Sequence, residues 1–388
     1  MPRPLHPFPA RMAPDLALDR LVRLQPNSIV LDPMTGSGTV IQQACAAGHR
    51  AIGVDVDPLA VMLSRVSAGA VDDRSVDLAG GHVASVARRI GAPETLEWID
   101  EDAETTRFVE FWFAPRQRDA LRRLARVIAD LERETPGAMA LDVLRLALSR
   151  LIIVKENGAS LARDTAHSRP HRVALDNDFD VVAQFDRSVA WVRRRLRERP
   201  LRRFAQVIQG DCRNLDIADA SVSTVLTSPP YLNAIDYMRG HRMSLVWFGH
   251  RISDLRGVRG TSVGTERGAE QNREDDPIRT AMGPVHELPR RERRMIDRYA
   301  TDLRGMMREV RRVLTTSGEA TFVMGNSCLR GVYVNNAEAL AAAGRLAGLE
   351  VVERFERDLP PQHRYLPLSA GTLSKRMRTE TIMSLRPN

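Results

Sequence analysis

Lysine is nearly missing from this chain of 388 residues, where only Lys155 and Lys375 occur. Cysteine is scarce too, and Cys45, Cys212 and Cys328 stand far apart in no paired spacing. That spacing excludes a zinc cluster of paired cysteines and a disulfide framework, and it fits a reducing, cytoplasmic setting. There is no run of about eighteen apolar residues and no apolar h-region at the N-terminus, so neither a membrane span nor a secretory signal is expected. No Gly-Lys-Ser or Gly-Lys-Thr follows a glycine turn, which removes a Walker-type phosphate loop. The full three-glycine dinucleotide fingerprint is absent as well.

What is present is an ordinary globular balance, 43% hydrophobic and 27% charged. The length suffices for one large domain with an insertion, or for two domains. The formal net charge is +8 and the isoelectric point about 10.0, carried by arginine. Arginine suits bidentate contacts to phosphate and to guanine edges. A GC-rich coding composition would also favour arginine over lysine, but it does not account for the positive sum. The charge supports a nucleic-acid partner.

The apolar pattern predicts an α/β fold. SIVLD at 28–32 reads as a strand, followed by a glycine-rich turn, a helix VIQQACAAG and a second strand in AIGVDVD at 51–57. Strand, glycine turn, helix and acid-ended strand open a doubly wound, mostly parallel sheet. From about 76 to 203 the composition turns helical, as in the stripe Leu121, Leu124, Val127, Ile128 and Leu131, which predicts a helical insertion between 1–75 and 204–388. The insertion is a candidate DNA-recognition region, and its closing run Arg193–Arg203 is a candidate phosphate-binding face or else a solvated helix side. The strand rhythm returns with AQVIQGD and SVSTVLTS. The polar stretch 251–294 predicts a long mobile loop, and an amphipathic helix carrying Tyr299, Leu303, Met306 and Val310 follows it. LEVVERFER and ETIMSLR predict a terminal β-hairpin.

Two motifs carry chemistry. In LDPMTGSGTV, Gly36 and Gly38 let backbone amides approach a ligand closely. Asp55 ends the second strand, where a carboxylate can accept from two ribose hydroxyls. No lysine or arginine stands in the turn, so a nucleoside with little phosphate suits it. The second motif is TSPPY at 227–231, directly after an apolar strand. Paired prolines are common in surface turns, yet here they form a rigid turn at a strand's C-terminal end, where open α/β sheets bind ligands. The Ser228 hydroxyl and the Pro229 carbonyl can accept hydrogen bonds from an exocyclic amine and aim its nitrogen at an electrophile. Pro230 holds the turn, and Tyr231 offers a face on which a displaced base can stack. Acceptors at the N–H groups favour the pyramidal nitrogen whose lone pair can attack, and no metal is needed.

DPMTGSGT, GVDVD and TSPPY, in this order, resemble the cofactor and catalytic motifs of S-adenosylmethionine-dependent DNA amino-methyltransferases. HPFPARMAPDLA before them is similar to the extra cofactor-proximal segment of those enzymes, and GDCRNL is similar to their adenine-contacting strand end. The resemblance covers roughly 1–75 and 205–388 and implies a class I methyltransferase-like sheet. It implies that Thr35, Gly36, Ser37, Gly38 and Thr39 cradle the methionine end of S-adenosylmethionine, with Asp32 and Thr227 beneath. Asp55 would hold the ribose, Asp211 and Cys212 the adenine, and His6, Pro7 and Arg11 would close over the cofactor. Ser228, Pro229, Pro230 and Tyr231 would carry out transfer to a base of double-stranded DNA. Serine at the first motif position points to the N4 amine of cytosine, with the N6 amine of adenine next. An RNA amino-methyltransferase and a non-catalytic DNA-binding scaffold are the rival readings. C5-cytosine chemistry needs a nucleophilic cysteine in a catalytic turn, and none of the three stands in one. A cognate restriction endonuclease as partner and the oligomeric state stay open.

Overall fold

The computed structural model describes residues 4–8, 12, 14–91, 94–167, 170–199, 201–232, 236–265, 269–358 and 379–388. Helix α1 (Pro14–Leu21) precedes the first βαβ unit, formed by β1 (Ile29–Asp32), α2 (Thr39–Ala47) and β2 (Arg50–Asp55). Helix α3 (Pro58–Ala68) starts where Asp57 caps it, accepting from the Leu59 amide at 2.9 Å, with Pro58 in the first turn. A helical region follows: α4 (Asp73–Arg89), α5 (Glu97–Asp100), α6 (Ala103–Trp112), α7 (Pro115–Glu134) and α8 (Met139–Ile152). A small hairpin of β3 (Ala162–Arg163) and β4 (His171–Arg172) leads to α9 (Val181–Arg197).

The sheet resumes with β5 (Gln206–Gln209) and β6 (Val222–Thr227). Helices α10 (Tyr237–Leu245), α11 (Ile252–Thr261), α12 (Asp276–Ala281) and α13 (Arg290–Val313) come next. β7 (Leu314–Met324), a short hairpin of β8 (Ser327–Leu329) and β9 (Val332–Val334), α14 (Asn336–Leu346), β10 (Leu349–Asp358) and β11 (Thr379–Pro387) complete the order.

The seven-stranded sheet runs β10-β11-β7-β6-β1-β2-β5. With its strands counted along the chain, the order is 3-2-1-4-5-7-6, and only the last strand, β11, opposes its neighbours. This is the sheet of a class I methyltransferase-like α/β fold, with helices on both faces. Neighbouring residues of the central strands alternate between two cores, as the pleat requires. Leu31, Val225, Phe322 and Met383 face α13 and α14, whereas Val30, Leu226, Val323 and Ile382 face α1 and α2. The predicted terminal hairpin is present as β10–β11. The helices between 73 and 197 do not stand apart: they share one core with Leu59, Leu63 and Val66 of α3 and Met238 and Met243 of α10.

Two sequence expectations change. Residues 251–294 do not form a long loop, because α11, α12 and the start of α13 lie within them. Their few apolar residues fall at helical spacing and are buried, namely Ile252 with Leu255, and Ile278 with Met282. Part of the charge is buried too: Asp275 accepts from Arg304 Nε and Thr301 Oγ1, both at 2.6 Å. Polarity therefore understated order here. The Arg193–Arg203 run is only partly open, with Arg194, Arg197, Arg202 and Arg203 exposed. Arg193 and Arg197 pair with Asp73, at 2.9 and 2.5 Å, and Arg193 also bridges to Asp77. Arg195 pairs with Glu198 at 2.5 Å, and Arg203 donates to the Gly48 carbonyl at 2.9 Å. Part of the run therefore lies against the acidic first turn of α4, which neutralises Arg193 and Arg197.

Candidate functional site

The strand order reverses between β1 and β6, which makes their C-terminal ends the topological switch point of the sheet. The glycine turn leaves β1 there, and the Ser-Pro-Pro-Tyr turn leaves β6 beside it. One hydrogen bond ties the two ends together, from the Thr227 hydroxyl to Asp32 Oδ1 at 2.7 Å. The sheet therefore sets the spacing between the two motifs.

The glycine turn is built from its own side chains and those of α3. The Thr35 amide donates to the Val54 carbonyl at 2.9 Å, and the Gly36 amide donates to Asp55 Oδ2 at 2.9 Å. The Ser64 hydroxyl donates to the Gly36 carbonyl at 3.1 Å, and the Ser37 and Thr39 hydroxyls lie 3.0 Å apart. Gly38 has φ +76°, and a Cβ there would lie 2.6 Å from Ser67 Oγ and 3.1 Å from Ser64 Cα. Gly38→Ala is expected to lower stability by about 1–3 kcal/mol through backbone strain and this clash. Gly81→Ala, in open space on α4, should hold or raise it. Paired thermal melts check both.

Two carboxylates end the strands without an ion-pair partner among the described residues. Burial raises Asp32 to about 7, against the pull of Thr227 and the Met34 amide. Burial, with the charge of Asp57 beside it, raises Asp55 to about 6. Asp57 behaves differently: its burial is outweighed by His241 and the α3 amides, which hold it below the ordinary aspartate value. His241 Nδ1 lies 2.5 Å from Asp57 Oδ2, and its Nε2 is buried with no partner.

Aromatic rings stand over the turn. Phe8 stacks on Tyr237, with centroids 5.4 Å apart, and lies 5.1 Å from the His241 ring. A Cβ on Gly36 would meet the Phe8 ring at 3.5 Å. Sequence reasoning missed Phe8, Tyr237, His241 and Asp57 as parts of this site. The Asp-Pro capping pair and the i, i+4 spacing of Tyr237 and His241 were the available signals. His6, read as closing over the cofactor, turns its Nε2 towards Ser149 of α8, 2.9 Å away, and Pro7 is half-buried beside it. Arg11 lies outside the described residues.

At the second motif, the Ser228 hydroxyl donates to the Val323 carbonyl at 3.0 Å. With its proton spent on β7 and the Tyr231 phenol also hydrogen-bonded to it, the oxygen keeps one lone pair for an incoming donor. The Pro230 carbonyl accepts from the Tyr299 hydroxyl of α13 at 3.2 Å, while the Pro229 carbonyl accepts nothing among the described residues. Tyr231 is half-buried, and desolvation, followed by the nearby charge of Glu380, pushes its phenol up and keeps it protonated. Gly264, at φ +73°, lets the turn after α11 approach the Tyr231 carbonyl, which a Cβ would meet at 3.1 Å.

The third cluster is placed differently from its sequence reading. The Asp211 carboxylate is occupied by Arg213, which bonds it through its amide, Nε and Nη2. Arg213 also reaches Asp302 and the Thr261 carbonyl, the latter at 2.6 Å. Cys212 is buried in the core with its thiol pushed up, so it is no nucleophile. The Asp211 carboxylate, partly exposed, would meet a ligand only alongside Arg213.

No family model matches the chain, and no curated protein matches it. Solved structures do. A TehB-like SAM-dependent methyltransferase from Corynebacterium glutamicum is 9% identical, with 96% of this chain and 88% of that one covered and a TM-score of 0.32. The rRNA methyltransferase aviRa from Streptomyces viridochromogenes is 11% identical, with 98% and 87% covered and a TM-score of 0.31. The [4+2]-cyclase SpnF is 11% identical, with 96% and 80% covered and a TM-score of 0.34. Likenesses this distant assign no activity. Among the described residues no helix is long and apolar enough to cross a membrane.

Proposed function

We propose that this chain is an S-adenosylmethionine-dependent methyltransferase that modifies an exocyclic amine of a DNA base, the N4 amine of cytosine first. The observation that carries this reading is the Ser228 hydroxyl, which donates its proton to the Val323 carbonyl and so can act as an acceptor at the end of β6. An amine needs an acceptor there, and a backbone-oriented serine provides one without a charge.

The residues at β1 and β2 fit the cofactor. Asp32 is buried and Asp55 half-buried, neither forms an ion pair among the described residues, and an ammonium with two ribose hydroxyls would satisfy them. The glycine turn would take the methionine end, and Phe8 would cover it. Bound S-adenosylmethionine supplies an electrophilic methyl group on its sulfonium. On the protein side, Ser228 and the Pro229 carbonyl would hold the amine hydrogens and orient the nitrogen lone pair. Tyr231, kept neutral, would stack the extruded base. The Thr227–Asp32 hydrogen bond would keep donor and acceptor pockets in register.

Incubation with genomic DNA and labelled S-adenosylmethionine, nucleoside digestion and mass spectrometry test the reading. N4-methylcytosine is expected. N6-methyladenine would keep the enzyme class and break the serine rule, while transfer only to RNA, or to nothing, would overturn the DNA reading.

A pH dependence follows from the two acids. Their raised values mean that the folded apo-protein holds protons the unfolded chain has already lost, between about pH 4 and 7. Their contribution to stability therefore falls as pH rises through that window. Ligand binding needs both ionised, so it runs the other way. Calorimetric affinity for S-adenosylhomocysteine is expected to be at least about tenfold weaker at pH ~5.5 than at pH ~8, with proton release on binding at the lower pH. A flat profile would remove the two acids from the pocket.

A further inference from the structure

Three of the seven arginines of Arg193–Arg203 are held in ion pairs, and a second group of exposed arginines stands at the start of α13. Arg290, Arg291, Arg293 and Arg294 are all exposed. Arg290, Arg293 and Arg294 make no ion pair among the described residues, in a chain where most interior-facing arginines do. Their position is unfavourable for the helix itself, because the N-terminal end of a helix carries positive partial charge and prefers acids. Asp297, one turn on, offsets part of this for Arg293 and Arg294.

Tyr299 of α13 donates to the Pro230 carbonyl, which pins the helix to the Ser-Pro-Pro-Tyr turn at 3.2 Å. The helix runs on into β7, which is parallel to β6, so its N-terminus points to the same sheet edge as the turn. From Tyr299 back to Arg290 are nine residues, about 13 Å of helix. The first two turns or so thus lie towards that end of the sheet, with Met295 and Ile296 buried on the inner side and the arginines exposed. Arg290, Arg293 and Arg294 lie on the side of the helix away from Tyr299. Cα–Cβ bonds tilt towards a helix N-terminus, so these long side chains lean outward, above the edge.

We infer that Arg290, Arg293 and Arg294 form a rail that grips backbone phosphates of duplex DNA beside the base that enters the Ser228 turn. The inference rests on the DNA-methyltransferase reading and names the surface that holds its substrate. The contact is to phosphates and carries no base sequence by itself. It would fix the register of the duplex over the turn.

The test measures the salt dependence of binding to a mixed-sequence DNA duplex for wild type and for the triple variant Arg290→Gln, Arg293→Gln, Arg294→Gln. Each lost phosphate contact should lower the log–log salt slope by about 0.9, so a drop of about 2–3 is expected. A control triple, Arg74→Gln, Arg89→Gln, Arg194→Gln on α4 and α9, removes the same charge from other exposed positions and should leave the slope within about 0.5 of wild type. S-adenosylhomocysteine affinity and the melting temperature of the rail variant should match wild type, which reports a folded cofactor site. An unchanged slope, or the same drop in the control, overturns the rail. A wild type that binds neither S-adenosylhomocysteine nor duplex DNA would instead sink the functional reading on which it rests.

Discussion

Ser228→Ala should lower amine methylation by about a hundred- to a thousandfold, the loss seen when one preorganised hydrogen-bonding partner of a reacting group is removed. The affinity for S-adenosylhomocysteine should stay within about twofold, so the loss falls on kcat. The serine hydroxyl is anchored to the Val323 carbonyl of β7, and among the described residues it makes no hydrogen bond to the glycine turn. Deleting it removes an acceptor for the amine and leaves the Asp32–Thr227 link intact. Tyr231→Phe, which keeps the stacking face, should be far milder than Tyr231→Ala. Single-turnover rates with saturating cofactor separate these cases. If Ser228→Ala lost analogue affinity in proportion to rate, the serine would belong to the cofactor pocket and not to amine orientation.

His241→Leu is expected to cost about 3–5 kcal/mol of stability, because it strips the partner from a buried carboxylate. Asp57 sits at the start of α3, two residues after Asp55, and His241 Nδ1 meets it at 2.5 Å. Without the imidazole, Asp57 and Asp55 face each other unrelieved, although the Leu59 amide still bonds Asp57 at 2.9 Å. Adding Asp57→Asn to His241→Leu should recover part of the loss, since the second change removes the orphaned charge. Urea denaturation of the four proteins in the cycle measures the coupling. A single-variant cost under about 1 kcal/mol would show that the pair is weakly held.

The sheet was legible because its strands are short apolar runs separated by strong punctuation. Val30 and Leu31, or Val225 and Leu226, are apolar on both faces, which marks strands covered twice over. The glycine turn and the Ser-Pro-Pro-Tyr turn were legible for a related reason, since Gly38 at φ +76° and paired prolines are local constraints that need no tertiary partner to be recognised. What escaped was every feature made by long-range pairing. The ordering of 251–294 depends on buried Asp275 meeting Arg304 from α13. Asp211 reads as an adenine ligand until Arg213 is seen to occupy it. The Phe8–Tyr237–His241 stack joins residues more than two hundred positions apart, and no spacing rule brings them together. Charge runs were the least informative signal, because Arg193 and Arg290 look alike in sequence and differ only in whether an acidic helix lies opposite.

The core shared by the helices of 73–197 with α3 and α10 has a bearing on modularity. A shortened chain that joined residue 72 to residue 204 would keep all seven strands of the large sheet. It would also strand Leu59, Leu63 and Val66 of α3, each now at most 1% exposed, against water. The glycine turn leans on that same α3 through Ser64. Removing the helices would therefore loosen the glycine turn as well as the surface above it. A compact minimal sheet domain cannot be obtained from this chain by simple excision; it would need a redesigned polar face on α3.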